Sequence, residues 1–391
     1  MADIARGLQG VTLTETRLSG VDGEAGELII GGYPLEVLAP NASYEETLHL
    51  LWNGWLPTEA ELKVFKHGLA AQRDLPPITV QLLRQAADRQ LPPMEALRMA
   101  VDTLGLVAVA DGDGERAGAV SRAKSLVARF PLMIAGYWRL LDGQEPVEPD
   151  RDLGHAACFL QLLNGEPASA ATVRGLETYL NAVVDHGMNA STFTARVIVS
   201  TRSDVVSAIV GAIGALKGPL HGGAPGPALD QVFMLRELSE QQGQPLDKIA
   251  GRWANEVIDR GDRIMGFGHR VYRVRDPRAD VLGQAAEVLF SKQEDQSLYQ
   301  DARTVEQAIL QVLAERKPQR RLNTNVEFYT ALLLHGIGLE PAIFSSVFAL
   351  SRVGGWTAHV LEQLADNILI RPRSVYTGER QESWPPLDAR G

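Results

Sequence analysis

The 391-residue chain is 45% hydrophobic and carries a formal net charge of −10 at pH 7. Its length exceeds what one core usually serves, so two domains are expected. Its acidic balance argues against a general nucleic-acid or anionic-membrane surface, since such partners favour basic faces. A single cysteine, Cys158, excludes an intramolecular disulfide and a cysteine-based zinc cage. The first ten residues carry no apolar signal region and no window approaches about 18 uninterrupted apolar residues, so a soluble, cytoplasmic protein is expected.

In chain order, Val11 to Leu18 alternates, Asp22-Gly23 turns, and Glu27 to Ile30 alternates less clearly, which predicts one small N-terminal β-hairpin. Helices follow. Ser43-Tyr44-Glu45-Glu46 and Thr58-Glu59-Ala60-Glu61 fit the capping box, in which hydroxyl and carboxylate satisfy each other's orphan amides. Helical periodicity continues over Pro93 to Leu106, Arg116 to Leu141, Leu153 to Leu163 and Ser169 to Val184. Val205 to Leu216 is apolar on all sides, so this helix is buried either in the core or between subunits. Arg236 to Arg321 is charged and reads as a smaller helical domain, after which helices resume over Val326 to Leu334 and Ala342 to Leu364. From Arg371 the chain is irregular and reads as an arm. No strand–helix alternation that would build a parallel sheet is present, and the fold class is mainly α.

Of eight histidines, three lie in Gly-rich or polar loops: His186, His221 and His269. Glycine and proline on both sides of such a residue fix a backbone that helix or strand cannot supply and leave the ring in the open. His49, His67, His155, His335 and His359 fall within helical patterns, where a structural or surface role is expected. None of the three loop histidines has the i, i+3 or i, i+4 partner usual for a metal ligand, so no metal site is expected. Glu327 stands where a loop becomes a helix, among Asn and Thr, and a plain capping carboxylate explains it equally well on its own.

Four ordered blocks then carry a resemblance: His-Gly-Met-Asn-Ala-Ser at 186–191, Lys-Gly-Pro-Leu-His-Gly-Gly-Ala at 217–224, Gly-Phe-Gly-His-Arg-Val-Tyr with Asp-Pro-Arg at 266–278, and Asn-Val-Glu-Phe-Tyr at 325–329. With Glu15-Thr16 to Glu24 and Ser351 to Trp356, they make the chain similar to the citrate synthase family over nearly its whole length. The resemblance implies a two-domain helical fold, with residues 1–220 and 326–391 forming a large domain and 221–325 a small one. It implies a homodimer, which favours the interface reading of the 205–216 helix, and a Si-type acyltransferase that condenses acetyl-CoA with oxaloacetate to citrate and CoA. In the implied roles His221, His269 and Glu327 are catalytic, while His186, Arg278, Arg352 and Arg371 of the neighbouring subunit hold oxaloacetate. Arg273, Ile264, Met265 and Gly266 border CoA, and no cofactor beyond this co-substrate is implied.

The chain departs from the family pattern at three points. Glu327 replaces the usual aspartate, Gly31 stands where arginine is common, and Ala224 to Pro227 replaces a frequent Asn-Glu after the alanine. The longer Glu327 side chain is expected to be met by a backbone set back to suit it, so that activity survives. Alternatives are 2-methylcitrate synthase using propionyl-CoA, a non-catalytic homologue binding CoA and a dicarboxylate, and a metalloenzyme using His186, His221, His269 and Glu327 as ligands.

Overall fold

The computed structural model describes residues 4–8, 10–108, 115–222, 226–269, 271–292, 296–380, 383–384 and 386–389. It is mainly helical: α1 Leu35–Leu38, α2 Tyr44–Asn53, α3 Glu59–Ala70, α4 Pro77–Asp88, α5 Pro93–Thr103, α6 Glu115–Leu141, α7 His155–Asn164 and α8 Ala170–Val183 come first. Then come α9 Ala190–Ser200, α10 Val205–Leu216, α11 Gly226–Gln242, α12 Leu246–Arg260, α13 Pro277–Phe290, α14 Ser297–Arg316, α15 Val326–Gly336 and α16 Phe344–Ala365. Both expected capping boxes form, Ser43 with Glu46 and Thr58 with Glu61.

The small sheet differs from expectation at its start. Strands β1 Ser19–Asp22, β2 Glu27–Ile30 and β3 Tyr33–Pro34 pair antiparallel in that order, with Ser19 opposite Ile30. Residues 11–18 form no strand. The four-residue β2 offers no ladder beyond Ser19, and alternation without a partner strand leaves backbone groups to water. At the turn, the Asp22 carboxylate accepts from the amides of Glu24 and Ala25, both at 2.9 Å.

Helix α16 is buried along nearly its whole length and packs on α6, α9, α8 and α10. It approaches the end of α8 so closely that a Cβ on Gly355 would lie 2.2 Å from the Val184 carbonyl oxygen, and one on Gly354 would lie 2.5 Å from Leu48. Helix α10 spans the predicted residues. Its Val206, Ile209, Ile213 and Leu216 are buried against this core, while Val210, Gly211, Gly214 and Ala215 stay half-buried on its other side. Helices α11, α12 and α14 pack on one another, whereas α13 lies on α15 and α8. Gly31 has φ +56°, which strains any side chain, and a Cβ there would fall 2.7 Å from the Leu50 side chain, which would have to shift to admit the arginine the family often has.

Gly355→Ala is expected to destabilise the protein by about 1–3 kcal/mol, because backbone must move to admit the methyl group. Gly68→Ala in α3, where a Cβ meets nothing within 4 Å, is expected to stabilise by roughly 0.5–1 kcal/mol. Urea unfolding of both variants checks the contrast.

Candidate active site

Glycines and helix caps build the loops that carry the three histidines. Asn189 caps α9, its side chain accepting from the Thr192 amide at 3.1 Å, and so ends the His186 loop. After α10 the chain doubles back over the helix end. The His221 amide donates to the Gly218 carbonyl at 2.9 Å, and a Cβ on Gly222 would lie 2.2 Å from the Leu216 carbonyl oxygen, so only glycine permits the return. Gly223, Ala224 and Pro225 lie outside the described residues, and α11 begins directly after them.

Gly266 and Gly268, both at φ +84°, flank Phe267, which bridges antiparallel to Thr324. The Gly268 amide donates to Asn323 at 2.7 Å and the Asn325 amide to Gly266 at 2.9 Å. This pairing sets His269 beside the start of α15, where Asn325 caps the helix by accepting from the Glu327 amide at 3.0 Å. Arg270 lies outside the described residues.

His186, His221, His269, Arg278, Glu327 and Arg352 all line one cavity of about 410 Å³. His221, His269 and Glu327 also border an adjoining cavity of about 530 Å³ that Ile264, Met265 and Gly266 line together with Arg263, Lys317 and Arg320. Arg273 is not in that wall. It lines a neighbouring hollow of about 560 Å³ with Arg275, Lys317 and Arg321. Arg371 is exposed in the segment after α16 and borders none of these.

Hydrogen bonds fix the tautomers of His221 and His269. The Ser191 amide, a free donor at the start of α9, points at Nε2 of His221 at 3.2 Å. That nitrogen is therefore an acceptor, and Nδ1 carries the proton. The Ser191 hydroxyl, 2.8 Å from the same nitrogen, accepts from Trp356 Nε1 at 3.0 Å. At His269 the arrangement is reversed: Nδ1 accepts from the amides of Val271 at 3.0 Å and Tyr272 at 3.2 Å, which leaves the proton on Nε2. Burial, aided by Arg352, lowers the His221 pKa to about 4, and burial with Arg278 does the same for His269. Both rings are thus uncharged N–H donors near neutral pH. His186, whose Nε2 lies 3.1 Å from the Tyr272 hydroxyl, is held well below its usual range by burial and by Arg278 and Arg352.

Glu327 moves the other way, raised to about 7 by burial although Arg278 pulls it down. The two arginines differ in their partners. Arg278 is held by Asp276 through Nε at 3.0 Å and Nη2 at 2.8 Å. Arg352 is 2% exposed, donates from Nε to the Val183 carbonyl at 2.8 Å, and leaves Nη1 buried without a partner. Burial brings its pKa down to about 10. Asp185 offsets part of that burial without bonding to the guanidinium, and an incoming carboxylate at Nη1 would relieve more of it. Arg278 Nη2 and His269 Nε2, both donors, lie 3.4 Å apart and can share one acceptor.

Among the described residues no three His, Cys, Asp or Glu side chains are grouped to hold a metal ion, and no helix is long and apolar enough to cross a membrane. Ser191, Trp356 and Asp276 support the site from within the sequence blocks that carry the resemblance, although no role is assigned to them there. A further signal is Asn189, whose cap leaves the next helix amides free.

The model of the family "Citrate synthase, C-terminal domain" matches residues 7–373. The chain is 41% identical to the citrate synthase of Haloferax volcanii, covering 99% of both chains. It is 37% identical to the 2-methylcitrate synthase of Mycobacterium tuberculosis, over 98% of this chain and 93% of that one. Among solved structures, the citrate synthase of Pyrobaculum aerophilum superimposes with a TM-score of 0.87 at 36% identity, covering 99% of this chain and 95% of that one. The ternary complex of carboxymethyl coenzyme A and oxaloacetate with the citrate synthase of Thermoplasma acidophilum gives 0.85 at 30% identity, with full coverage of both (100% each). The chain belongs to the citrate synthase family.

Proposed function

We propose that this protein is a citrate synthase of the Si type, joining acetyl-CoA to oxaloacetate. The observation that carries this reading is that His221, His269 and Glu327 border both cavities, two as uncharged donors and one as a carboxylate titrating near neutrality. Glu327 takes a proton from the thioester methyl while Nδ1–H of His221 supports the charge gathering on the thioester oxygen. The enolate carbon attacks the ketone carbon of oxaloacetate, whose oxygen His269 polarises and then protonates. Water cleaves the citryl thioester to citrate and CoA. Arg278, Arg352 and His186 grip the oxaloacetate carboxylates, joined by Arg371 of a neighbouring subunit. The stretch Ile264 to Gly266 borders the CoA adenine, and Arg273 meets a CoA phosphate from the adjacent hollow.

The homodimer this requires would form on the half-buried side of α10 and through the segment after α16, where Ile368 and Tyr376 are 74% and 70% exposed. Residues 221–325 would form the small domain and close over the cleft. Polar substrates and a charged surface suit a cytoplasmic setting. Relatives of similar identity named citrate synthase and 2-methylcitrate synthase support propionyl-CoA as the second reading. One methylene is worth only about 1–3 kcal/mol in such a pocket.

A CoA-release assay with oxaloacetate and each acyl-CoA is expected to show turnover, with higher kcat/KM for acetyl-CoA. Glu327→Gln is expected to lose about 10²–10⁴-fold in kcat; a wild type no faster than this variant would sink the reading. Because Glu327 must be ionised to act as a base, kcat/KM for acetyl-CoA should fall as pH drops through about 7. The two histidines should add no second limb until pH approaches about 4. Solution scattering should give a dimer mass and a smaller radius of gyration with oxaloacetate than without.

A further inference from the structure

Behind the cavity wall lies a chain of buried polar groups that the proposed chemistry does not use. His359 and Asp185 are 0% exposed and Arg196 is 2% exposed. Arg196 Nη1 donates to Nδ1 of His359 at 2.8 Å, and a guanidinium can only donate, so the ring's proton lies on Nε2. That N–H faces both oxygens of Asp185, at 3.1 Å each. Asp185 in turn accepts from the Ser19 hydroxyl, and Ser19 Oγ accepts from the Gly187 amide at 2.9 Å. Both sides of His186 are held in this way.

The chain also runs outward. Arg196 Nε donates to Gln363 at 3.0 Å, and Nε2 of Gln363 donates to the Ile368 carbonyl at 3.2 Å. Ile370, next to Arg371, donates its amide to the Ser200 hydroxyl at 3.1 Å. One set of bonds thus spans the His186 loop, α9, α16 and the segment that leads to Arg371.

We infer that His359 is a positioning residue for the dicarboxylate pocket: accepting from Arg196 and donating to Asp185, it sets the His186 loop and the Arg371 segment as one hydrogen-bonded unit. No other neutral ring or amide geometry is needed, only an acceptor and a donor on opposite edges. The inference rests on the synthase reading for its substrate, and direct binding of oxaloacetate separates the two.

Purified His359→Leu, His359→Gln and Ser19→Ala are compared with wild type by steady-state kinetics and by calorimetric titration with oxaloacetate. His359→Leu is expected to raise the oxaloacetate KM and Kd about tenfold or more while the acyl-CoA KM stays within about twofold. His359→Gln, which keeps an acceptor and a donor, should recover most of that loss. Ser19→Ala, which removes the hydroxyl that joins Asp185 to the Gly187 amide but leaves the His359–Asp185 and His359–Arg196 bonds in place, should weaken oxaloacetate by about fivefold. Unchanged oxaloacetate binding, or both KM values rising together, overturns the inference. Should the leucine variant not fold, Ser19→Ala decides by the same readouts. A wild type that binds oxaloacetate yet releases no CoA removes the synthase reading and leaves the relay to be judged by Kd; one that binds no oxaloacetate overturns both.

Discussion

The contact between α16 and the end of α8 governs the rest of the site. It exists because Gly355 brings two backbones to a distance that no side chain tolerates, while Gly354 leaves room for the Leu48 and Tyr44 side chains of α2. Once they meet, polar side chains that α16 projects in that direction reach the last turn of α8 and the first turn of α9. Ser351 donates to the Leu180 carbonyl at 2.6 Å, Arg352 to Val183, and Trp356 to the serine that orients His221. A helix–helix packing distance thereby sets the position of the Arg352 guanidinium and supports the Ser191 contact that fixes the tautomer of His221. The other half of the site depends on a weaker device, the single Phe267–Thr324 bridge with its neighbouring amide bonds.

The electrostatics follow from the same burial. Taking groups out of water pushes a carboxylate up and imidazoles down, which is the direction proton abstraction and uncharged hydrogen bonding require near pH 7. One carboxylate, Asp276, is committed to Arg278, whereas Arg352 is left open. The cavity therefore presents a buried guanidinium edge with no hydrogen-bond partner within a chain whose net charge is −10. An anionic ligand that reaches it meets a donor that nothing in the protein satisfies.

Much of this was legible from residue order alone. Helix α10 was readable because twelve residues without a charged group between Asp204 and Lys217 leave no other boundary. The loop histidines were readable because glycines that enforce positive φ or close approach are visible as glycines. What stayed hidden depended on partners distant in the chain. The alternating run at 11–18 carries a strand pattern but has no strand to pair with. Arg273 sits in the right motif yet opens into a different hollow from Ile264 to Gly266, since its backbone is drawn toward the Gly23 carbonyl at 2.8 Å. Ser191 and His359 look like ordinary helix residues until the fold supplies what each of them faces.

The N-terminal hairpin touches the segment that carries His186, through Ser19 at Asp185 and Gly187, and the stretch between His269 and Arg278, through Gly23 at Arg273. In synthesis the Ser19 hydroxyl cannot meet the Asp185 carboxylate until 166 further residues have followed. The hairpin is thus secured on this side only once the chain has grown past α8. Closure of the cavity is a long-range event, bounded by how soon the two ends of a long loop find each other rather than by how fast any helix forms.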